Sequence, residues 1–405
     1  MNDEGPINRR VWLYYLILVL AIGAFQEILF RYVFPLPEVS NFNRINYSMM
    51  VRDEPEGAVQ PLSNAAFAWA SDPDAAEFIH HLNLYGFRDS NWPVKGEDRV
   101  MFVGDSFVEG FMAEDDETMS AGFETTSEID ANPIETINLG TGASGVDDYL
   151  AVIADAVPIF QTDTVVLVMY ANDFGPNTAS ADSFEQSTPP VRENPYLPRF
   201  YAVLTNLVEG NNVATRWSKK PFVFLPDSGS SRSPLHDEEF VSHVSKFVSP
   251  GILDSMMQGR FNPFVINEYT NYEAFLSRPA NMENVIEHTK DFVEAHGGRF
   301  MVVHVPYKGQ VSDHYLEYTK QYDENKQPSS LMPDAYQLHA GSLADTCAKF
   351  DVPFLDMTTI LRQREASGER MYWGFDEHMK ASAYLMTGEE IYRFWKNPAL
   401  SATEN

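Results

Sequence analysis

An apolar run, Val100-Met101-Phe102-Val103, passes directly into Gly104-Asp105-Ser106-Phe107-Val108-Glu109-Gly110. Consecutive apolar residues closed by a glycine turn read as a strand of a parallel sheet, buried on both faces. A serine in a tight turn between such a strand and a helix has an exposed hydroxyl. Its backbone N–H also lies near the positive end of the following helix. Attack on an acyl carbonyl needs both features, a presented nucleophile and a donor for the oxyanion. Gly-Asp-Ser turns are common, so this one gains weight only if a base and a second donor stand elsewhere.

Both are present. Near the C-terminus is Trp373-Gly374-Phe375-Asp376-Glu377-His378, followed by an amphipathic stretch from Ser382 to Trp395. A carboxylate two residues before a histidine can reach back to the imidazole, fix its tautomer and stabilise the cation formed on proton transfer. Between these lies the strand Thr164 to Tyr170, with Ala171-Asn172-Asp173-Phe174 at its C-terminal end. Open α/β sheets keep their ligand crevice at that edge, so the Asn172 amide is a candidate oxyanion donor. A further strand, Ile134 to Leu139, enters the Gly-rich loop Gly140-Thr141-Gly142-Ala143-Ser144-Gly145, whose backbone N–H groups can point into the crevice.

These segments, in this order and each at a strand end, resemble the SGNH (GDSL-like) hydrolase superfamily over roughly residues 83–397, with one large interruption. The resemblance implies Ser106 as nucleophile, His378 as general base and Asp376 as the residue that orients the histidine. It implies an oxyanion hole from the Ser106 backbone N–H, the Asn172 side chain and a loop N–H. The loop position that usually holds glycine is Ala143, with Gly142 as the counterpart after a shift of one. The glycine often found five residues after the histidine is Ala383 here. The Asp-x-His spacing is closer to the branch containing alginate O-acetyltransferase-like proteins than to the Asp-x-x-His lipases. The segment Asn83 to Asp89 resembles the lead-in of membrane-anchored members.

The core of the chain alternates strand and helix. Strands are predicted at 99–103, 134–139, 164–170, 299–305 and 352–356, and helices around 114–127, 146–159, 281–296, 334–349 and 381–396. Such alternation implies an α/β fold, a three-layer α/β/α sandwich around a five-stranded parallel sheet of flavodoxin-like type. The predicted organisation is a tip and single anchor over 1–34, an extension over 35–95 and the hydrolase-like domain over 96–400. Alternation fails between about 175 and 272, where Pro and Ser-Gly-Ser-Ser clusters punctuate the chain. An insertion directly after the Asn172 loop would overhang the cleft as a lid or acceptor-binding subdomain; a loose surface excursion is the plainer reading.

Arg9-Arg10 precede the apolar run Val11 to Phe25, which reaches the ~20 residues of a membrane span once Ile28 to Phe30 are included. Arginines before the span put the N-terminus in the cytoplasm. Ile22-Gly23-Ala24 is a poor cleavage site, so an uncleaved anchor is favoured over a signal peptide. The expected location is the bacterial inner membrane, single-pass, with the catalytic domain periplasmic. A formal charge of −29 argues against a nucleic-acid partner and against docking on an anionic lipid surface. The single cysteine, Cys347, reads as a buried structural thiol.

The stretch 65–82 reads as a short helix, on which His80 and His81 point different ways; a surface or capping role fits them better than a metal site. His304 reads as a strand core residue and Lys308 as a solvated loop lysine that could approach an acidic substrate. No P-loop, dinucleotide fingerprint or paired Cys/His cluster occurs, so no cofactor and no metal are expected.

Three functions follow. The first is an anchored serine esterase that removes acyl groups from envelope glycans or other small esters. The second is an O-acetyltransferase acting on an exported polysaccharide, which needs an acyl donor delivered by a membrane-embedded partner protein. The third is a non-catalytic scaffold that keeps the fold and binds a glycan or envelope complex.

Overall fold

The computed structural model describes residues 9–33, 39, 42, 66–69, 78–93, 98–142, 144–174, 199, 222–223, 282–315, 332–374 and 376–398. In chain order the elements are α1 (Arg9–Ile28), β1 (Ala66–Trp69), β2 (Phe78–His81), β3 (Arg99–Val103), α2 (Ser106–Glu109), α3 (Met119–Ile129), β4 (Glu135–Asn138), α4 (Val146–Phe160), β5 (Thr164–Met169) and β6 (Phe222–Val223). They continue as α5 (Met282–Ala295), β7 (Arg299–His304), α6 (Lys308–Val311), α7 (Met332–Lys349), β8 (Phe354–Asp356), α8 (Thr358–Ala366) and α9 (Ala381–Lys396).

Strands β4-β3-β5-β7-β8 form one parallel sheet. Numbered within that sheet, the order is 2-1-3-4-5, the flavodoxin-like arrangement. The chain leaves β3 to one side for β4 and returns on the other for β5. The crevice of such a sheet opens at this reversal, beyond the carboxyl ends of β3 and β5.

Burial follows the two-residue strand period. Met101, Val103, Val165, Leu167 and Val302 pack with α4, α5 and α7 on one face. Val100, Phe102, Val166, Val168 and Val303 pack with α3, α8 and α9 on the other. This is the three-layer sandwich expected from the alternation. Helices α3 and α9 approach through glycine: a Cβ at Gly388 would stand 2.1 Å from the Met119 carbonyl oxygen, and one at Gly122 2.4 Å from that of Leu385.

Several elements differ from expectation. The helix predicted from residue 114 starts at Met119, because Thr118 caps it and Asp115–Glu117 forms a separate turn. Helix α8 was not foreseen; its short span shows little amphipathic pattern. The described residues of the stretch 65–82 are not helical: β1 and β2 pair antiparallel, and β6 pairs parallel with β1, in a second sheet. His80 is fully buried beside exposed His81, the period-two signature of a strand, so the surface reading of His80 is corrected. Lys308 is likewise fully buried rather than solvated. Cys347 is buried as expected, and burial pushes its thiol up to about 12. The remainder of the 175–272 insertion, apart from Arg199 and β6, lies outside the described residues, as does Ala143.

Candidate active site

The turn that carries Ser106 is built by local chemistry. Asp105 caps α2, its side chain accepting the Phe107 N–H at 2.9 Å. Gly110 ends the turn at φ +79, a left-handed conformation that suits glycine. Gly140 lets the following loop approach α2, since a Cβ there would stand 2.0 Å from the Glu109 nitrogen. Arg88 secures the far side of the turn: its guanidinium donates to the carbonyl oxygens of Glu109, Gly110 and Ala113 and pairs with Asp115 at 2.9 Å. Ser106 remains partly exposed at the end of β3.

Across the crevice, the segment 371–380 doubles back on itself. Lys380 N–H donates to the Met371 carbonyl at 2.8 Å and Trp373 N–H to that of His378 at 3.1 Å. Within it, one carboxylate oxygen of Asp376 accepts both the His378 backbone N–H at 2.8 Å and Nδ1 at 2.5 Å. Two residues of separation suffice for both bonds, which is the physical content of the Asp-x-His spacing. Because Nδ1 gives its proton to Asp376, Nε2 is left as an acceptor, and it lies 2.7 Å from Ser106 Oγ. The imidazole rests against Phe107 and Phe111, at 4.9 and 4.6 Å between ring centres. Asp376 and His378 are buried, while Ser106 and Asn172 reach solvent.

Charge in this pocket is one-sided. Burial alone would press the His378 pKa down, but the charge and hydrogen bond of Asp376, with Glu377 and Asp105 behind them, raise it above the usual 6.5. Burial pushes the Asp105 carboxyl up against the hydrogen bonds it accepts from Phe107 and Asn172. Asp173 is pushed well up by burial first and the Asp105 charge second. It accepts the Tyr149 hydroxyl and the Tyr170 N–H, each at 2.8 Å.

Two N–H donors at this end of the sheet are candidates for an oxyanion hole. The Ser106 N–H begins α2 and donates to no group among the described residues. Asn172 gives one amide hydrogen to Asp105 at 3.0 Å, which fixes the amide and leaves its second hydrogen available. Gly142 does not fill the third place in this arrangement, because its N–H donates to Glu109 at 2.7 Å. Glu109 also faces His80 at 3.5 Å, with both side chains buried.

The structure therefore brings Ser106, His378, Asp376 and Asn172 together. It sets His304 apart, at the end of β7, where Nδ1 bonds Asp356 at 2.9 Å and ties β7 to β8. Sequence reasoning missed Glu109, Arg88 in its actual role, and Lys308. The ammonium of Lys308 donates to the carbonyl oxygens of Gly374, Asp376 and Trp373 at 2.7, 3.0 and 3.3 Å. Among the described residues no group of three or more His, Cys, Asp or Glu side chains could hold a metal ion.

No family model matches the chain, and no curated protein matches it. Among solved structures, TesA is similar at 9% identity and a TM-score of 0.38, over 74% of this chain and 99% of that one. A protein from Desulfitobacterium hafniense DCB-2 assigned to the G-D-S-L family of lipolytic proteins is similar at 11% identity and a TM-score of 0.35, over 73% and 99%. BT4096, a gut microbial diltiazem-metabolizing enzyme, is similar at 11% identity and a TM-score of 0.35, over 76% and 48%.

Proposed function

We propose that this chain is a serine esterase of SGNH type, anchored in the inner membrane by α1, that removes acyl groups from envelope glycans. The relay Asp376–His378–Ser106 carries this reading. In the reaction, Nε2 of His378 takes the Ser106 proton as Oγ attacks the ester carbonyl. Ser106 N–H and Asn172 Nδ2 receive the oxyanion, and the leaving alcohol takes the proton from the imidazolium. Water, activated by the same histidine, then releases the acyl group. The buried carboxylates around His378 favour the cation that forms in both steps.

Segment 9–33 is helical, and its most apolar 18-residue window has a mean hydropathy of 2.0 and no buried residue, which supports a single span. The arginines at its start, Arg9 and Arg10, support a cytoplasmic N-terminus and a periplasmic catalytic domain. The second sheet supports treating the extension and the insertion as one accessory layer, since β1 pairs with both β2 and β6, and Phe78 of β2 packs on Trp373 at 6.0 Å. The full chain, purified in detergent and treated with a serine-directed fluorophosphonate, should gain one adduct by intact mass, and Ser106→Ala should gain none. An unlabelled but folded wild type would sink the catalytic reading in favour of a scaffold. Release of alcohol from acetyl esters without transfer to a glycan acceptor would separate hydrolysis from O-acetyl transfer.

A further inference from the structure

We infer that Lys308 is a positioning residue for catalysis, its buried ammonium holding the Asp376–His378 loop in register with Ser106. The inference rests on the active-site reading above and extends it to a residue that touches no reacting atom. Lys308 opens α6, just beyond the carboxyl end of β7. An ammonium carries three hydrogen-bond donors on a compact charge. Three carbonyl oxygens of one short segment, Trp373, Gly374 and Asp376, lie within 2.7–3.3 Å of it. Lys308 is fully buried, so no water competes for those carbonyls at full strength.

The geometry matters because the loop is irregular. Its backbone oxygens converge on one point, which without a cation would be an accumulation of partial negative charge. The same segment carries the carboxylate that bonds both Nδ1 and the backbone N–H of His378. A shift of the Asp376 backbone therefore moves the imidazole and opens its 2.7 Å contact with Ser106. Other bonds hold the base of the loop: Tyr372 N–H donates to Tyr315 Oη at 2.9 Å, and Tyr372 Oη to the Pro306 carbonyl at 2.7 Å. Lys308 thus reaches the tip, donating to the carbonyl oxygens of Gly374 and Asp376 there. Arg88 does the equivalent for the nucleophile turn, so a buried cation stands behind each half of the site.

The test compares wild type, Lys308→Met and Lys308→Gln, each as full chain in detergent, for three readouts. These are the fluorophosphonate labelling rate, the far-downfield proton resonance of His378 Nδ1–H, and thermal unfolding by circular dichroism. Folded Lys308 variants should label about 10²-fold more slowly, as expected for a small misplacement of a catalytic group, and lose or shift the downfield resonance. The resonance reads the Asp376–His378 geometry without any reaction. A wild type that keeps it but does not label would count against the serine chemistry and leave the positioning role standing. Folded variants with unchanged labelling and resonance would overturn the role. If Lys308→Met does not fold, Lys308→Gln, which keeps a donor, decides by the same criteria. Failure of both to fold would also overturn it, by making Lys308 a requirement of the whole fold.

Discussion

His378 accepts a proton only while neutral, and its surroundings work against neutrality. With a pKa raised above 6.5, the labelling rate should fall as pH drops through that raised value, and a rate–pH profile measures it directly. Stability runs the other way. A histidine with a folded pKa above its unfolded one contributes stability that is fully present below the unfolded value and is lost as pH rises through the folded value. Mild acid should therefore leave the site folded and idle. Asp376→Asn removes the charge that raises the pKa, and it should move the acid limb of the profile to lower pH while cutting the labelling rate by about 10⁴-fold. A profile unmoved by that substitution would refute the pairing. At this scale the sequence was informative where a residue type and a local spacing coincide. Ser106 in its glycine turn, Asn172 after a strand and His378 two positions from a carboxylate could all be located. Lys308 and Glu109 could not. Their partners lie 65 or more and 33 positions away, and nothing in a lysine's neighbours announces that it will be buried.

Helices α3 and α9 meet where neither has a side chain at the point of contact. Replacing Gly388 by valine would drive methyl groups into the Met119 carbonyl, a backbone atom that cannot move aside cheaply. Gly388→Val should cost about 1–3 kcal/mol and lower Tm by several degrees, which calorimetry or circular dichroism would show. An unchanged Tm would mean the helices are further apart than described. Strands β3, β5 and β7 and helices α4, α5 and α9 were readable because long apolar runs or amphipathic periods repeat the same message several times. The hairpin at 66–81 was not, since each of its strands has four residues and a period of two needs more turns than that to stand out. Its pairing with Phe222–Val223, more than 150 positions on in the chain, is a tertiary fact with no local trace.

The whole molecule combines an uncovered apolar helix with a formal charge of −29. Full-length protein should sediment with membranes and require detergent, whereas residues 36–405 should remain in the soluble fraction; fractionation and immunoblotting compare the two. A soluble full chain would argue that α1 is covered or removed. One more consequence concerns time. Ser106 and His378 stand 272 positions apart, and α9 follows His378 directly. At ordinary synthesis rates, roughly 15–50 s separate the making of the serine from the making of its base. Throughout that interval Ser106 is an ordinary alcohol, and it stays one until the last helix seats against α3. Under the proposed function, a nascent or clipped chain carries the serine without its base, and reactivity begins only when the end of the chain has folded back onto its middle.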